Sequence, residues 1–153
     1  MIILKTSNIK IFNASAYSLP EYQTIGSAGV DLKANLTESM ILQPHQVYQI
    51  PTGLFLEIPV GIEAQVRARS GLALKHGLSL VNGIGTIDSD FRGEIKVIMI
   101  VLVDRSYELK PGERIAQMVF SEVIKADFSE VTSVAALETS DRGTGGFGHS
   151  GKE

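Results

Sequence analysis

The chain has no cysteine among its 153 residues. That excludes disulfides, thiolate zinc sites and a cysteine nucleophile, and it fits a reducing compartment. Histidine is scarce as well: His45, His76 and His149 lie far apart and show no metal-ligand spacing. No stretch reaches the roughly 18 apolar residues of a membrane span, and Ile2-Ile3-Leu4 is too short for a signal-peptide core. The expectation is a soluble, cytoplasmic protein with no membrane contact. Neither charge sign dominates, since 14 Lys and Arg face 17 Asp and Glu for a net charge of −3. A general nucleic-acid binder carries a basic face, so direct nucleic-acid binding is not expected. A small anionic ligand stays open, because a few placed arginines can hold phosphates inside an acidic protein.

The chain is rich in apolar residues and glycine. Its 44% hydrophobic content supports a core in one domain of this length, and 15 glycines point to many tight turns. Short extended segments recur between turn residues. Val47-Tyr48-Gln49-Ile50 ends at Pro51-Thr52-Gly53, Leu54–Ile58 ends at Pro59-Val60-Gly61, and Glu63–Arg67 follows with rough alternation. That spacing is typical of a sandwich or barrel. Glu94–Val103 turns almost wholly apolar, as in a strand covered on both faces, and Ile115–Val123 is another strand. Asn82-Gly83 sits between Leu78–Val81 and Thr86-Ile87, a strong hairpin signal. Helix signals are few: Ser70 is a candidate cap for a short helix through His76, with Gly77 at C′. There is no internal repeat and no domain linker, so the reading is one all-β domain.

The segment from Leu137 on differs. Thr139–Gly151 holds five glycines and one aromatic, Phe147, and builds no core by itself. It reads either as a frayed terminus or as an arm that orders over a ligand. In the second case glycine amides and Arg142 would meet phosphate, and Phe147 would stack. Gly143-x-Gly145-x-x-Gly148 matches a dinucleotide fingerprint, and Gly143-x-x-x-x-Gly148-His149-Ser150 nearly matches a P-loop. Both need a strand before and a helix after, and His149 stands where the P-loop lysine belongs, so both are set aside.

Polar residues gather near turns: Asp31 after Ala28-Gly29-Val30, Arg69-Ser70-Gly71 at the short helix, Asp88–Glu94 beyond the Asn82 turn, and Gln117 within the late strand. Exposed amides and a positive dipole end at Arg69-Ser70-Gly71 would favour anions. Each cluster has a plainer alternative. Asp31 could accept turn amides, Arg67 and Arg69 could form a solvated strand face, Asp88 and Asp90 a surface pair, and Gln117 a cross-sheet pair. The residues alone reach a β domain with a phosphate-binding loop set and an acid near a hairpin, without fixing the substrate.

Taken together, five clusters resemble, in order, the motifs of the trimeric deoxyuridine triphosphatase family. They are Ala28-Gly29-Val30-Asp31-Leu32; Arg69 to Gly77; Asn82 to Glu94; Gly112-Glu113-Arg114-Ile115-Ala116-Gln117-Met118; and Arg142 to Gly151. The resemblance implies a jelly-roll-like β-barrel, residues 1–136, with a flexible glycine-rich arm, 137–153, closing over the site. It also implies a homotrimer with active sites shared between subunits and Mg²⁺ as cofactor. The implied reaction converts dUTP to dUMP and pyrophosphate, limiting uracil in DNA and supplying dUMP for thymidylate synthesis.

The same resemblance implies roles. Asp88 would activate the attacking water, and Asn82, Gly85, Thr86 and Ile87 would read uracil, largely through backbone groups. Phe91 would pack on the deoxyribose and exclude a 2′-hydroxyl. Arg69, Ser70, Gly71, Lys96 and Gln117 would belong to the substrate site, with Ser70 and Gln117 at the α/β-phosphates. Arg142 would grip the γ-phosphate, Phe147 would stack on uracil, and Gly148 and Ser150 would complete the arm. Asp31 would serve the magnesium site through water. Three departures stand out: Phe91 where the family has tyrosine, Ala68 where it has proline, and Gly148-His149-Ser150-Gly151 where Gly-Ser-Thr-Gly is common. His149 could add a pH-sensitive phosphate contact. The alternatives are a dCTP deaminase on the same fold and a regulatory binding module.

Overall fold

The computed structural model describes residues 5–146. Ten strands and one short helix follow in order: β1 (Lys10–Asn13), β2 (Val30–Lys33), β3 (Met40–Leu42), β4 (Val47–Glu57), β5 (Ile62–Ala68), α1 (Ser70–His76), β6 (Leu78–Leu80), β7 (Ile84–Ile87), β8 (Glu94–Val101), β9 (Tyr107–Leu109) and β10 (Arg114–Glu122). Two four-stranded antiparallel sheets, β1-β4-β8-β6 and β2-β10-β5-β7, carry the fold, and β3-β9 forms a small third one. The architecture is all-β and jelly-roll-like.

Alternation explains the layers. Val30 and Leu32 of β2, Ala64 and Val66 of β5, and Ala116 and Met118 of β10 point inward and are buried. From the other sheet Ile50, Leu54 and Leu56 of β4 and Ile95, Val97, Met99 and Val101 of β8 meet them, while Leu42 and Leu109 join the same core from the small sheet. Each fully buried Leu, Ile or Met stabilises the fold by about 1.5–3 kcal/mol relative to exposure. β8 alternates buried and part-exposed residues, so it is sealed on one face and only partly covered on the other, a correction to a strand covered on both faces.

Two further expectations change. Val47–Ile50 and Leu54–Ile58 are not separate strands around a turn. They are one eleven-residue strand whose register on β8 shifts between Pro51 and Leu54. The bulge accommodates Pro51, which has no N–H, and Gly53 at φ 71°. Thr52, only 2% exposed, satisfies the freed backbone: its hydroxyl donates to the Ile95 carbonyl at 2.6 Å and accepts from the Leu54 amide at 3.2 Å. The Glu94 carboxylate accepts the Gly53 amide at 2.8 Å, so the bulge also braces the start of β8. Asn82-Gly83 does make a tight turn, with Gly83 at φ 67°, but not a hairpin. β6 pairs with β8 and β7 with β5, so this turn carries the chain from one sheet to the other.

β10 ends at Glu122, beyond which the described residues are exposed apart from Gly145 and contain one 3-10 turn, Val134–Ala136. No helix among the described residues is long and apolar enough to cross a membrane.

Candidate active site

The outer faces of β2, β10 and β5 bring three polar residues into one row: Asp31 pairs with Gln117, and Gln117 with Arg67. Each is the immediate neighbour of a buried residue, Val30, Met118 or Val66, so alternation along the strand places it on the side away from the core. The Gln117 amide donates to the Ala68 carbonyl at 3.0 Å, tying β10 to the end of β5. Gly29 makes room beside it, since a Cβ there would lie 3.1 Å from Gln117 Oε1.

β5 leads into Arg69, whose extended backbone (φ −92°, ψ 125°) occupies the N-cap of α1. Ser70 is therefore the first helical residue and makes no cap bond, a correction by one position; Gly77 takes the left-handed C-cap as expected, at φ 66°. The Arg69 side chain is pinned across the sheet. Its Nε lies 3.0 Å from Asp31 Oδ1 in an ion pair, and Nη1 donates to the Arg114 carbonyl at 2.9 Å. The Arg114 guanidinium takes the other Asp31 oxygen at 3.3 Å. Asp31 thus orients two arginines with its two oxygens.

Asp31, Arg69, Ser70, Gly71 and Gln117 line one cleft of about 540 Å³, together with Lys75. Five of the sequence-derived site residues therefore meet. Tyr107 and Glu113 form a further part of its wall, hydrogen-bonded through the phenol and one carboxylate oxygen. Burial, then the Glu113 hydrogen bond and charge, hold the Tyr107 phenol well above its ordinary range. The sequence reading placed Arg114 in the fourth motif but gave it no role, and it missed Tyr107. Arg114 had a signal, standing three residues before Gln117; Tyr107, on the short β9, had none.

The second group lies elsewhere. Asn82 sits on the turn before β7, and its amide nitrogen lies over Gly85, 3.2 Å from where a Cβ would be. Thr86 and Ile87 continue β7, opposite Gln65 and Ala64. Asp88 and Phe91 are exposed on the loop between β7 and β8. That loop is braced internally: the Phe91 amide donates to the Asp88 carbonyl at 3.2 Å, and Arg92 Nη1 reaches the carbonyls of Ser89 (2.7 Å) and Phe91 (2.9 Å). Lys96 lies on the outer face of β8, 4.0 Å from Glu94, and does not line the cleft. Arg142 donates from Nε to the Gly145 carbonyl at 2.7 Å and lines no part of the cleft either. Phe147, Gly148, His149 and Ser150 lie outside the described residues.

Register separates the two groups. Ile87 pairs with Ala64, near the start of β5, whereas Arg69 follows the end of that strand. Six residues of extended chain between the Asp88 end and Arg69 span roughly 20 Å. Within one chain the acid of the loop and the arginine of the cleft do not share a pocket.

A family model described as dUTPase matches residues 15–151. The chain belongs to the dUTPase family. A deoxyuridine 5'-triphosphate nucleotidohydrolase of Cytophaga hutchinsonii is 50% identical over 147 residues, 96% of this chain and 94% of that protein. Another, from Chlamydia pneumoniae, is 53% identical over 137 residues, covering 90% and 93%. Among solved structures, a variant of the phage 80alpha dUTPase has a TM-score of 0.81 at 23% identity, over 95% of this chain and 99% of that one. At that identity the likeness establishes the fold, in accord with the jelly-roll-like expectation.

Proposed function

We propose that this member of the dUTPase family hydrolyses dUTP to dUMP and pyrophosphate. The observation that carries the reading is 50% identity to a deoxyuridine 5'-triphosphate nucleotidohydrolase across nearly the whole of both chains. The polar geometry supports roles for individual residues. The exposed Asp88 carboxylate accepts a proton from a water that attacks the α-phosphorus. The new P–O bond forms as the bond to the β-phosphate bridging oxygen breaks, and pyrophosphate leaves. Arg69, Ser70, Gly71 and Gln117, gathered in one cleft, hold the phosphates, and the pinned guanidinium of Arg69 needs little reorganisation to do so. Backbone groups from Asn82 to Ile87 read uracil. They reject cytosine, because it would leave them unpaired. Phe91 walls the deoxyribose, and Lys96 borders this half of the site. Arg142, Phe147, Gly148 and Ser150, on an arm comprising residues 137–153, complete it over the barrel domain of residues 1–136.

A water-activating group acts within hydrogen-bond reach of its target, about 3 Å. The roughly 20 Å between the Asp88 loop and the Arg69 cleft supports a site whose two halves come from different copies of the chain. Exposed apolar residues are consistent with such an assembly: Val81 and Ile84 beside the uracil turn, and Ile124 and Phe128 beyond β10, exposed at 94% and 91%. A homotrimer with sites shared between subunits accommodates both features.

The donor set suits a magnesium ion carried by the substrate. No group of three carboxylates or histidines capable of holding a metal occurs among the described residues, and Asp31 is a single carboxylate already facing two arginines. Mg²⁺ is commonly bound through one or two carboxylates plus substrate phosphates, with water completing its shell, so Asp31 fits a role through water. When bound, the ion would neutralise phosphate charge and help fix the triphosphate. A dUTPase of phage phi11 of S. aureus coordinates a structural Mg(II) ion. The absence of cysteine suits a cytoplasmic setting for this chemistry.

The test is pyrophosphate release from dUTP, with dCTP, dTTP and UTP as controls and Mg²⁺ present or chelated. Wild type should act on dUTP alone, with metal, and Asp88→Asn should lose the activity. Mixing and refolding Asp88→Asn with Arg69→Ala should recover part of it, because hybrid assemblies contain some sites with both residues intact. Ammonia release from dCTP would instead identify a deaminase. An inert wild type would favour a binding module, and no recovery on mixing would refute the shared site.

A further inference from the structure

Gly93 follows the Asp88 loop and leads into β8, yet its backbone does not call for glycine. It is absent from the residues with positive φ, so any side chain could adopt its conformation. What requires glycine there is space. A Cβ at position 93 would lie 2.6 Å from Phe91 Cζ, 2.9 Å from Cε2 and 3.4 Å from Cε1, and these are its three nearest neighbours. The far edge of the Phe91 ring therefore rests on the bare Cα of Gly93.

The Phe91 amide is bonded to Asp88, Arg92 clasps the carbonyls of Ser89 and Phe91, and Glu94 is anchored on the Gly53 amide in the β4 bulge. The backbone on both sides of the ring is held, so its position is decided by its side-chain torsions and by what it leans on. Phe91 is 43% exposed. It can swing at small cost, and a methyl group at 93 would move the ring rather than the fold.

We infer that Gly93 is a specificity-determining residue, a seat that sets the position of the Phe91 ring and through it the exclusion of a 2′-hydroxyl. This rests on the reading of Phe91 as the deoxyribose wall. Carbon atoms settle about 3.5–4.0 Å apart, so a methyl placed 2.6 Å from Cζ displaces the ring edge by about 1 Å. The ring then no longer closes against the sugar carbon that distinguishes deoxyribose from ribose. A misplacement of about 1 Å near a reacting group can cost up to ~100-fold in rate, and a ring that contacts only the sugar should cost less, about tenfold.

The experiment is a double-mutant cycle on selectivity. kcat and KM for dUTP and UTP are measured for wild type, Gly93→Ala, Phe91→Ala and the double variant, with melting curves for each. In Gly93→Ala the dUTP-over-UTP ratio of kcat/KM should fall about tenfold, chiefly through a gain in kcat/KM for UTP. Its melting temperature should stay within about 2–4 °C of wild type, the shift expected for roughly 1 kcal/mol. In the Phe91→Ala background the added methyl meets no ring, and the same change should alter the ratio by less than about twofold. An equal effect in both backgrounds, an unchanged ratio in Gly93→Ala, or loss of its cooperative unfolding would each overturn the inference. If Phe91→Ala itself leaves the ratio untouched, Phe91 is not the sugar wall, and that reading fails along with the role of Gly93. dUTP hydrolysis by the wild type, measured in the same series, tests the proposed reaction separately.

Discussion

Replacing Asp31 with asparagine separates two jobs that one carboxylate could hold. In the structure its oxygens take Arg69 Nε at 3.0 Å and Arg114 Nη1 at 3.3 Å. Asparagine has one acceptor oxygen and an NH₂ that would face a guanidinium N–H, donor against donor, so it can serve one arginine and not both. The Asp31 side chain is 20% exposed and the arginines 33% and 46%, which discounts each contact to about 0.5–1 kcal/mol. The sum, about 1–2 kcal/mol, should lower the melting temperature by roughly 3–6 °C in calorimetry. The functional effect follows from Arg69, which would keep only its bond to the Arg114 carbonyl and lose its fixed aim into the cleft. KM for dUTP at saturating Mg²⁺ should rise about tenfold, equivalent to ~1.4 kcal/mol of binding. If the melting temperature falls but KM stays within twofold of wild type, Asp31 braces the sheet without aiming Arg69. If only the Mg²⁺ concentration needed for half-maximal rate changes, Asp31 serves the metal and the positioning argument is wrong.

Thr52→Val keeps the shape of the buried side chain but deprives the Ile95 carbonyl and Leu54 amide of their partner. It should cost about 2–4 kcal/mol in urea unfolding, and a loss below 1 kcal/mol would mean the bulge re-pairs its backbone. For Tyr107, burial and Glu113 raise the folded pKa above the ordinary 10.0. Its contribution to stability is then fully present below about pH 10 and declines as pH rises from there towards the folded value. Wild type should lose stability more steeply than Tyr107→Phe above pH 10, and parallel urea midpoints from pH 9 to 11 would contradict the assignment.

Much of this protein could be read from local sequence because the relevant physics is local. Rough alternation marked β5, and apolar segments of strand length marked β8 and β10, although only the structure showed that β8 alternates. Gly77 announced the end of α1 because a left-handed cap disfavours a side chain, and Asn82-Gly83 announced a tight turn for a similar reason. The motif residues of the cleft were legible as residue types, including Asp31, Arg69, Ser70 and Gln117.

Partnership was decided only by tertiary structure. Whether Asn82-Gly83 closes a hairpin or crosses between sheets depends on which strands β6 and β7 find, and nothing in the turn encodes that. Pro51-Thr52-Gly53 reads as a break until Ile95 and Glu94, more than forty residues away, supply the contacts that turn it into a bulge. The Arg69–Asp31–Arg114 cluster joins residues from three parts of the chain through sheet register. The same register holds the Asp88 loop and the Arg69 cleft at opposite ends of β5. Sequence can name the groups in each half of the site, but distance belongs to the folded chain, and here it keeps the halves apart.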